Sequence, residues 1–286
     1  MIVPVTVVIL THNEELNLAR AVDSVRNWAE SIVVIDANST DRTVTLAQEM
    51  GCDVVKHAFE DYGRQRNFAL DYLADSQPSW VLFLDADERV SEELRTEILK
   101  RMERDPSING FYVRRRFIWM GRWIRWGYYQ AWILRLFRYG KGRCEERSVN
   151  EHIVVAGKVD YLKKDLLHEN HKGIDAWIEK HNRYATLEAN ELLQRTGPES
   201  GQLSMRLTGS QAERKRWLRE RLWNRLPPLL RPMLYFFYRY VLRGGFLDGA
   251  AGFSYHALQA FWYPLLVDLK YLELKRKVAN RNSPLD

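Results

Sequence analysis

Four short apolar runs, each closed by a polar residue and followed by a helical pattern, constrain this chain more than any other feature. Val3–Leu10 is β-branched and apolar throughout, as a strand buried on both faces should be. Thr11, His12 and Asn13 end it, and Leu16, Ala19, Val22 and Val25 then recur at helical spacing, with Asn13 as the expected N-cap. Ile32–Ile35 is a second strand that stops at Asp36, and a helix is expected over Thr43–Met50. Val54 and Val55 mark a third strand, Arg64–Tyr72 another helix, and Trp80–Leu84 a fourth strand that stops at Asp85. Leu94, Ile98 and Met102 lie one turn apart on the helix after it. Such a βαβα rhythm implies a doubly wound, parallel α/β sheet.

Ligands of doubly wound sheets bind beyond the carboxyl ends of the strands. His12, Glu14, Asp36, Asp85 and Asp87 all fall there. In extended chain, residues i and i+2 point the same way, so Asp85 and Asp87 can aim two carboxylates at one point. Hard oxygen donors of this kind suit Mg²⁺ or Mn²⁺, which also take substrate phosphates. A cation so placed would neutralise a departing diphosphate. Glu88 is expected to begin the next helix.

The segments VVILTHNEELNLARAVDSV, VVIDANSTDRT, GRQRNFAL and WVLFLDADERV resemble family 2 glycosyltransferases. Further along, RSVNEHI, LLHENHKGIDAWIEKHNRYATLEA and FYRYVLRGGFLDGAAGFSYHALQAFWYPLLVDLKYLELK are similar to a bacterial subgroup that includes the lipopolysaccharide core β-1,4-glucosyltransferases. The resemblance implies a GT-A fold, a single Rossmann-like nucleotide-diphosphosugar domain. It places Thr11, His12, Glu14, Asp36, Arg66, Asn67 and Asp85 at the donor nucleotide, and Asp87 with Asp85 at a divalent metal. It also implies inverting transfer of a hexose, glucose first, from a UDP-sugar to a lipid-linked glycan such as the lipopolysaccharide inner core, with another cell-envelope glycan or lipid as the alternative acceptor. The expected location is the cytoplasmic face of the bacterial inner membrane or the cytoplasm. Leu10 and His12 stand where many members have Pro and Tyr, and Asn150 stands where many have His.

Inverting transfer needs a carboxylate to take the acceptor hydroxyl's proton, a service worth roughly 10²–10⁴-fold. Glu151 is the expected base; Glu145, Glu146, Asp160 and Asp165 are the other acids in range. His168 is a candidate third metal ligand, ahead of His171. Between Ile118 and Tyr129 stand three Trp, two Tyr and two Arg. Indole faces stack on sugar rings and Arg pairs with phosphate, so Trp119, Arg122, Trp123, Arg125 and Trp126 are candidate acceptor contacts. The alternative is a hairpin packed in the core.

Residues 1–205 are expected to form the catalytic domain, nucleotide-binding to about 110 and acceptor-binding from there. Residues 206–286 hold 15 Lys/Arg against 6 Asp/Glu, whereas the rest of the chain is slightly acidic. Arg214–Arg225 interleaves cations with Trp217, Leu218, Leu222 and Trp223, the pattern of an interfacial helix, so this part is expected to associate with a membrane. The segment 244–267 is expected to be buried or interfacial rather than spanning. A sugar nucleotidyltransferase would call for a Gly-rich basic loop after the first strand, which Thr11–Glu15 is not. No nucleic acid is expected as a partner, because no recognition motif accompanies the basic tail. Two cysteines, Cys52 and Cys144, offer no disulfide framework.

Overall fold

The computed structural model describes residues 2–128, 132–145, 152–194 and 226–281, in two compact units. The first comprises Met1–Trp123 and Tyr129–Lys172, the second Ile124–Tyr128 and Gly173–Asp286.

The first unit opens with β1 (Val3–Thr11), α1 (Leu18–Asp23), β2 (Ala29–Asp36), α2 (Thr43–Glu49), β3 (Asp53–Lys56), α3 (Tyr62–Tyr72) and β4 (Trp80–Asp85). It continues with β5 (Glu88–Val90), α4 (Glu92–Arg104), β6 (Ile108–Trp119), β7 (Arg122–Trp123), β8 (Trp132–Arg138), β9 (Gly142–Cys144), β10 (Ile153–Val155) and β11 (Lys158–His168). Among the described residues the main sheet runs β3-β2-β1-β4-β8-β6-β11-β5, with β7 pairing β6 as a hairpin. Strands β3, β2, β1 and β4 are parallel, as expected, but β8 enters antiparallel to β4. The sheet is therefore mixed, not wholly parallel. Helices cover both faces. Val5, Val7 and Ile9 pack with Leu18 and Val22 of α1 and Leu94 and Ile98 of α4. Val8, Val33 and Phe83 pack on the other side with Ala69 and Leu70 of α3.

Two local expectations are corrected. Helix α1 begins after Asn17, not Asn13, and Leu16 is exposed. Asn13 takes a left-handed φ of 54°, and its side-chain oxygen accepts from the Thr40 amide at 2.8 Å. It closes a loop against the β2 turn instead of capping a helix. Glu88 does not start α4; Ser91 caps that helix by accepting from Leu94 N, and Glu88 is a fully buried strand residue.

The second unit is helical: α5 (Gly173–Gln194), α6 (Leu230–Phe237), α7 (Gly249–His256) and α8 (Tyr263–Arg281). Wider turns at Tyr238–Leu242 and Ala257–Trp262 join successive helices. Lys270 of α8 donates to Asn182 Oδ1 and Thr186 Oγ1 of α5, each at 2.6 Å. A buried ion pair, Arg231 with Asp268, ties α6 to α8. Among the described residues no helix is long and apolar enough to cross a membrane. The basic segment Arg214–Arg225 lies outside the described residues.

Arg239 and Asp248, between α6 and α7, and His256 at the end of α7 close on the short segment Ile124–Tyr128. Asp248 accepts from the amides of Arg125 and Trp126, both at 2.9 Å, and Arg239 Nε donates to Gly127 O at 2.8 Å. His256 Nε2 donates to Trp126 O at 3.1 Å. Burial, with Arg239 beside it, pushes the His256 imidazole down to about 4, so it is neutral at pH 7. Gly127 sits at φ 65°, where an added Cβ would stand 2.7 Å from His256 Cε1 and collide with Arg239 O. Gly127→Ala is therefore expected to cost about 2–3 kcal/mol through overpacking and a forbidden φ. A urea-unfolding comparison with wild type checks it, and an unchanged midpoint would refute the tight fit.

Candidate active site

The register of the parallel strands sets the site. Leu10 lies opposite Asp85, and Thr11 opposite Asp36, so residues far apart in sequence meet at one rim. Thr11 Oγ1 donates to Asp36 Oδ1 at 2.9 Å. Asp36 is fully buried and also accepts from the Ser39 amide at 2.8 Å, which shapes the turn after β2. His12 Nδ1 donates to Ala37 O at 2.9 Å, bridging the ends of β1 and β2.

Beyond β11, residues His168–Lys172 fold back across this rim. Asn17 Oδ1 accepts from the His171 amide at 2.8 Å, and Lys172 Nζ donates to Glu14 Oε1 at 2.5 Å and to His12 O at 3.3 Å. Burial pushes the Glu14 carboxyl above its usual range, against the opposing pull of Asn17 and Lys172. Asp87 faces the same strap. Its Oδ2 accepts from His168 Nε2 and Asn170 Nδ2, both at 3.2 Å. Burial opposes charging of His168, but the Asp87 carboxylate outweighs it and raises the imidazole.

On the other side of Asp85 lies a charged network inside the sheet. Arg135 of β8 grips both oxygens of Asp85, Nη1 at 3.2 Å and Nη2 closer still, and reaches Glu88 Oε1 at 3.0 Å. Arg66 of α3 lies 3.6 Å from Asp85, and Arg115 of β6 lies 3.7 Å from Glu88. Burial opposes ionisation of Asp85, but Arg135 and Arg66 prevail and hold it well below the usual carboxylate range. For Glu88, which is wholly enclosed, burial wins and its carboxyl is raised.

Asp85 gives both oxygens to Arg135 and keeps a third of its side chain exposed. Asn67 donates to Cys144 O at 3.0 Å and accepts from Cys144 N at 2.9 Å, and it is buried. Its amide thus pins β9 to α3. Asp160 pairs with Arg101, and Asp165 lies 3.2 Å from Arg114, so both acids have structural partners. Glu146 and the expected base Glu151 lie outside the described residues. Glu145 N donates to His152 O at 3.0 Å.

The acceptor candidates divide between the units. Trp119, Arg122 and Trp123 belong to the first, in the β6–β7 hairpin, where Arg116 stacks over Trp123 at 4.3 Å. Arg125 and Trp126 belong to the second, and the Trp126 ring is half exposed.

A cation fits this rim only in part. Asp87 Oδ2 and His168 Nε2 stand 3.2 Å apart, near the roughly 3 Å separating two ligands on one Mg²⁺ or Mn²⁺. Among the described residues, however, no group of three or more His, Cys, Asp or Glu could hold a metal alone. Such a cation would need oxygens from a phosphate or water to complete its shell.

A half-parallel sheet with helices on both faces and acids along its carboxyl rim defines a class of α/β proteins that bind ligands at that rim. The sequence profile of glycosyl transferase family 2 matches residues 6–164. The lipopolysaccharide core biosynthesis glycosyltransferase LpsC of Rhizobium meliloti (strain 1021) is 34% identical over 200 residues, 66% of this chain and 71% of that protein. An uncharacterized glycosyltransferase of Rickettsia conorii is 41% identical over 90 residues, which are 32% of this chain and 31% of that protein. This chain therefore spans about a third of that relative's length. A crystal structure of S. aureus TarS 1–349 matches 98% of this chain and 93% of its own, at 13% identity and a TM-score of 0.46. The chain belongs to glycosyl transferase family 2.

Proposed function

We propose that this glycosyltransferase moves a hexose, glucose first, from a UDP-sugar to a lipid-linked glycan of the lipopolysaccharide core, with inversion. The observation that carries the reading is the convergence of Thr11, Asp36, Asp85 and Asp87 at one rim, joined to the similarity to LpsC. Thr11, His12, Glu14 and Asp36 are assigned to the nucleotide side. Asp87 and His168 are assigned to a divalent cation, which when bound supplies positive charge against the diphosphate leaving group. Asp85, held by Arg135 and Arg66, presents a fixed negative edge beside the donor. The expected partners are thus the nucleotide sugar, Mg²⁺ or Mn²⁺, the glycan acceptor and a membrane surface.

Glu151 is assigned as the base. Its chain neighbour His152 lines the same cavity as Asp85. Glu151→Gln is expected to lower kcat by roughly 10²–10⁴-fold with the donor's Kd retained. Equal kcat in the variant would remove the assignment.

Membrane contact is assigned to the helical unit. Met233, Phe237, Leu242, Phe246, Leu247 and Phe253 are all exposed, and between Leu226 and Val267 the one acid, Asp248, is buried. An apolar surface without exposed negative charge suits an anionic bilayer. Flotation with vesicles containing phosphatidylglycerol tests it, and a chain that stays with the soluble fraction counts against it. For the reaction, purified protein with Mn²⁺, a nucleotide-sugar panel and core oligosaccharides is the test. Failure to transfer any sugar would overturn the proposal.

A further inference from the structure

On the β8–β6 side of Asp85 the first unit holds a cavity of about 240 Å³, lined by Arg66, Arg115, Arg135, Tyr112, Trp132 and His152 among others. Its chemistry is unusual for a site flanked by acids. Among the described residues, three guanidiniums face it against one lining carboxylate, Asp85, with Glu88 buried behind. These three cations and two acids, among the described residues, leave one net positive charge even with both acids ionised. A net cationic, partly desolvated cluster is costly unless a counter-charge arrives.

The remaining wall is apolar, Tyr112 and Trp132 beside Ile133, Leu134 and Ile153. The Trp132 ring is fixed edge-on by Tyr161 at 4.9 Å and covered by Arg114 at 4.8 Å, and Tyr112 stacks on Tyr161 at 5.1 Å. Rings locked in this way offer a rigid platform for a sugar ring. The volume lies below the ~300–1,000 Å³ of pockets that enclose drug-sized ligands, so it suits one substituted ring and not a whole nucleotide sugar. Its position agrees: Thr11 and Asp36 lie on β1 and β2, whereas β8 and β6 flank β4 on its far side.

We propose that this cavity receives an acidic substituent, a phosphate or a carboxylate, carried by the acceptor glycan, with Arg115 as its principal cation. The proposal rests on the glycosyltransferase reading and adds to it the acceptor's chemical class. Arg115 is chosen because Arg135 is already committed to Asp85 and Glu88, while Arg115 meets Glu88 only at 3.7 Å. A planar guanidinium can bind such an oxyanion through two parallel hydrogen bonds.

The test uses the full chain and two matched acceptors: a core oligosaccharide with its phosphates and carboxylates, and the same compound dephosphorylated and carboxyl-reduced. Calorimetric affinity for each acceptor, and for UDP, is measured in wild type, Arg115→Gln and Arg115→Lys, and transfer is followed in parallel. Wild type is expected to favour the acidic acceptor by about tenfold or more, the scale of one charge-assisted bidentate contact. Arg115→Gln should bring that ratio near one, and Arg115→Lys should restore part of it. Equal affinities in wild type overturn the proposal. So does a tenfold loss of UDP affinity in Arg115→Gln with the acceptor ratio unchanged, because the cavity would then serve the donor's diphosphate. Should the acidic preference and its dependence on Arg115 hold while no nucleotide sugar is turned over, the cavity assignment stands and the transfer reading fails.

Discussion

Arg135→Met is expected to destabilise the first unit by about 3–5 kcal/mol, the cost of leaving one side of a buried ion pair behind. The guanidinium is 6% exposed and satisfies Glu88, which is wholly enclosed, together with both oxygens of Asp85. Asp85 retains a third of its exposure and can recover some hydration, but Glu88 cannot. The sign with pH follows from the carboxyls. Wild-type Asp85 is depressed, so its stabilisation is present above the ordinary carboxylate range and is lost only as pH falls through its lowered value. Glu88 is raised, so its contribution is most favourable below the unfolded value and is lost as pH rises through its folded one. Without Arg135 both carboxyls move upward, and the deficit against wild type should be larger at pH 8 than at pH 5. Urea midpoints at the two pH values check this. Adding Glu88→Gln to the variant should recover part of the loss; a deficit independent of pH and of that second change would mean that packing, not charge, is what Arg135 supplies.

Asp87→Asn is expected to lower transfer by roughly 10²–10³-fold or more, as loss of a preorganised charge at the departing group would. Asn keeps the shape and can still meet Asn170, and the side chain is partly exposed, so Tm should stay within about 3 °C of wild type. Kinetics beside a melting curve separate the two readouts. A variant with full activity would remove Asp87 from the donor site, and a collapsed Tm would recast it as a structural anchor of the His168–Lys172 strap.

Much of the parallel half was legible because both of its faces are buried. Val3–Leu10, Ile32–Ile35 and Trp80–Leu84 carry that burial as unbroken apolar runs, and the polar residues ending them mark the rim. Strand direction was not legible. Trp132, Leu134 and Leu136 alternate correctly for a strand, but period two is identical in parallel and antiparallel neighbours, so the mixed sheet followed only from pairing. The β6–β8 register is irregular here and sends Leu134 and Leu136 to opposite faces, and an arginine between those two leucines was the available signal of a buried counter-ion. Its partners, Asp85 and Glu88, lie some fifty residues away. Glu88 itself was misassigned because Glu near a helix start is ordinary, and only the register of β5 against His168 encloses it. Asn67 sits in a family-like segment, yet its amide answers to the backbone of Cys144, a contact that no local pattern encodes. Lys172 reaches Glu14 by the same long-range route.

The rim's role is tested most directly by calorimetric titration of nucleoside diphosphates (UDP, GDP, TDP and ADP) into wild type and Asp87→Asn, each with Mn²⁺ and with excess EDTA. Wild type with Mn²⁺ is expected to bind one of them, UDP first, and both EDTA and Asp87→Asn should weaken it about tenfold or more. Binding of none of the four, or an affinity indifferent to both the cation and Asp87, would contradict a donor site at the ends of β1, β2 and β4.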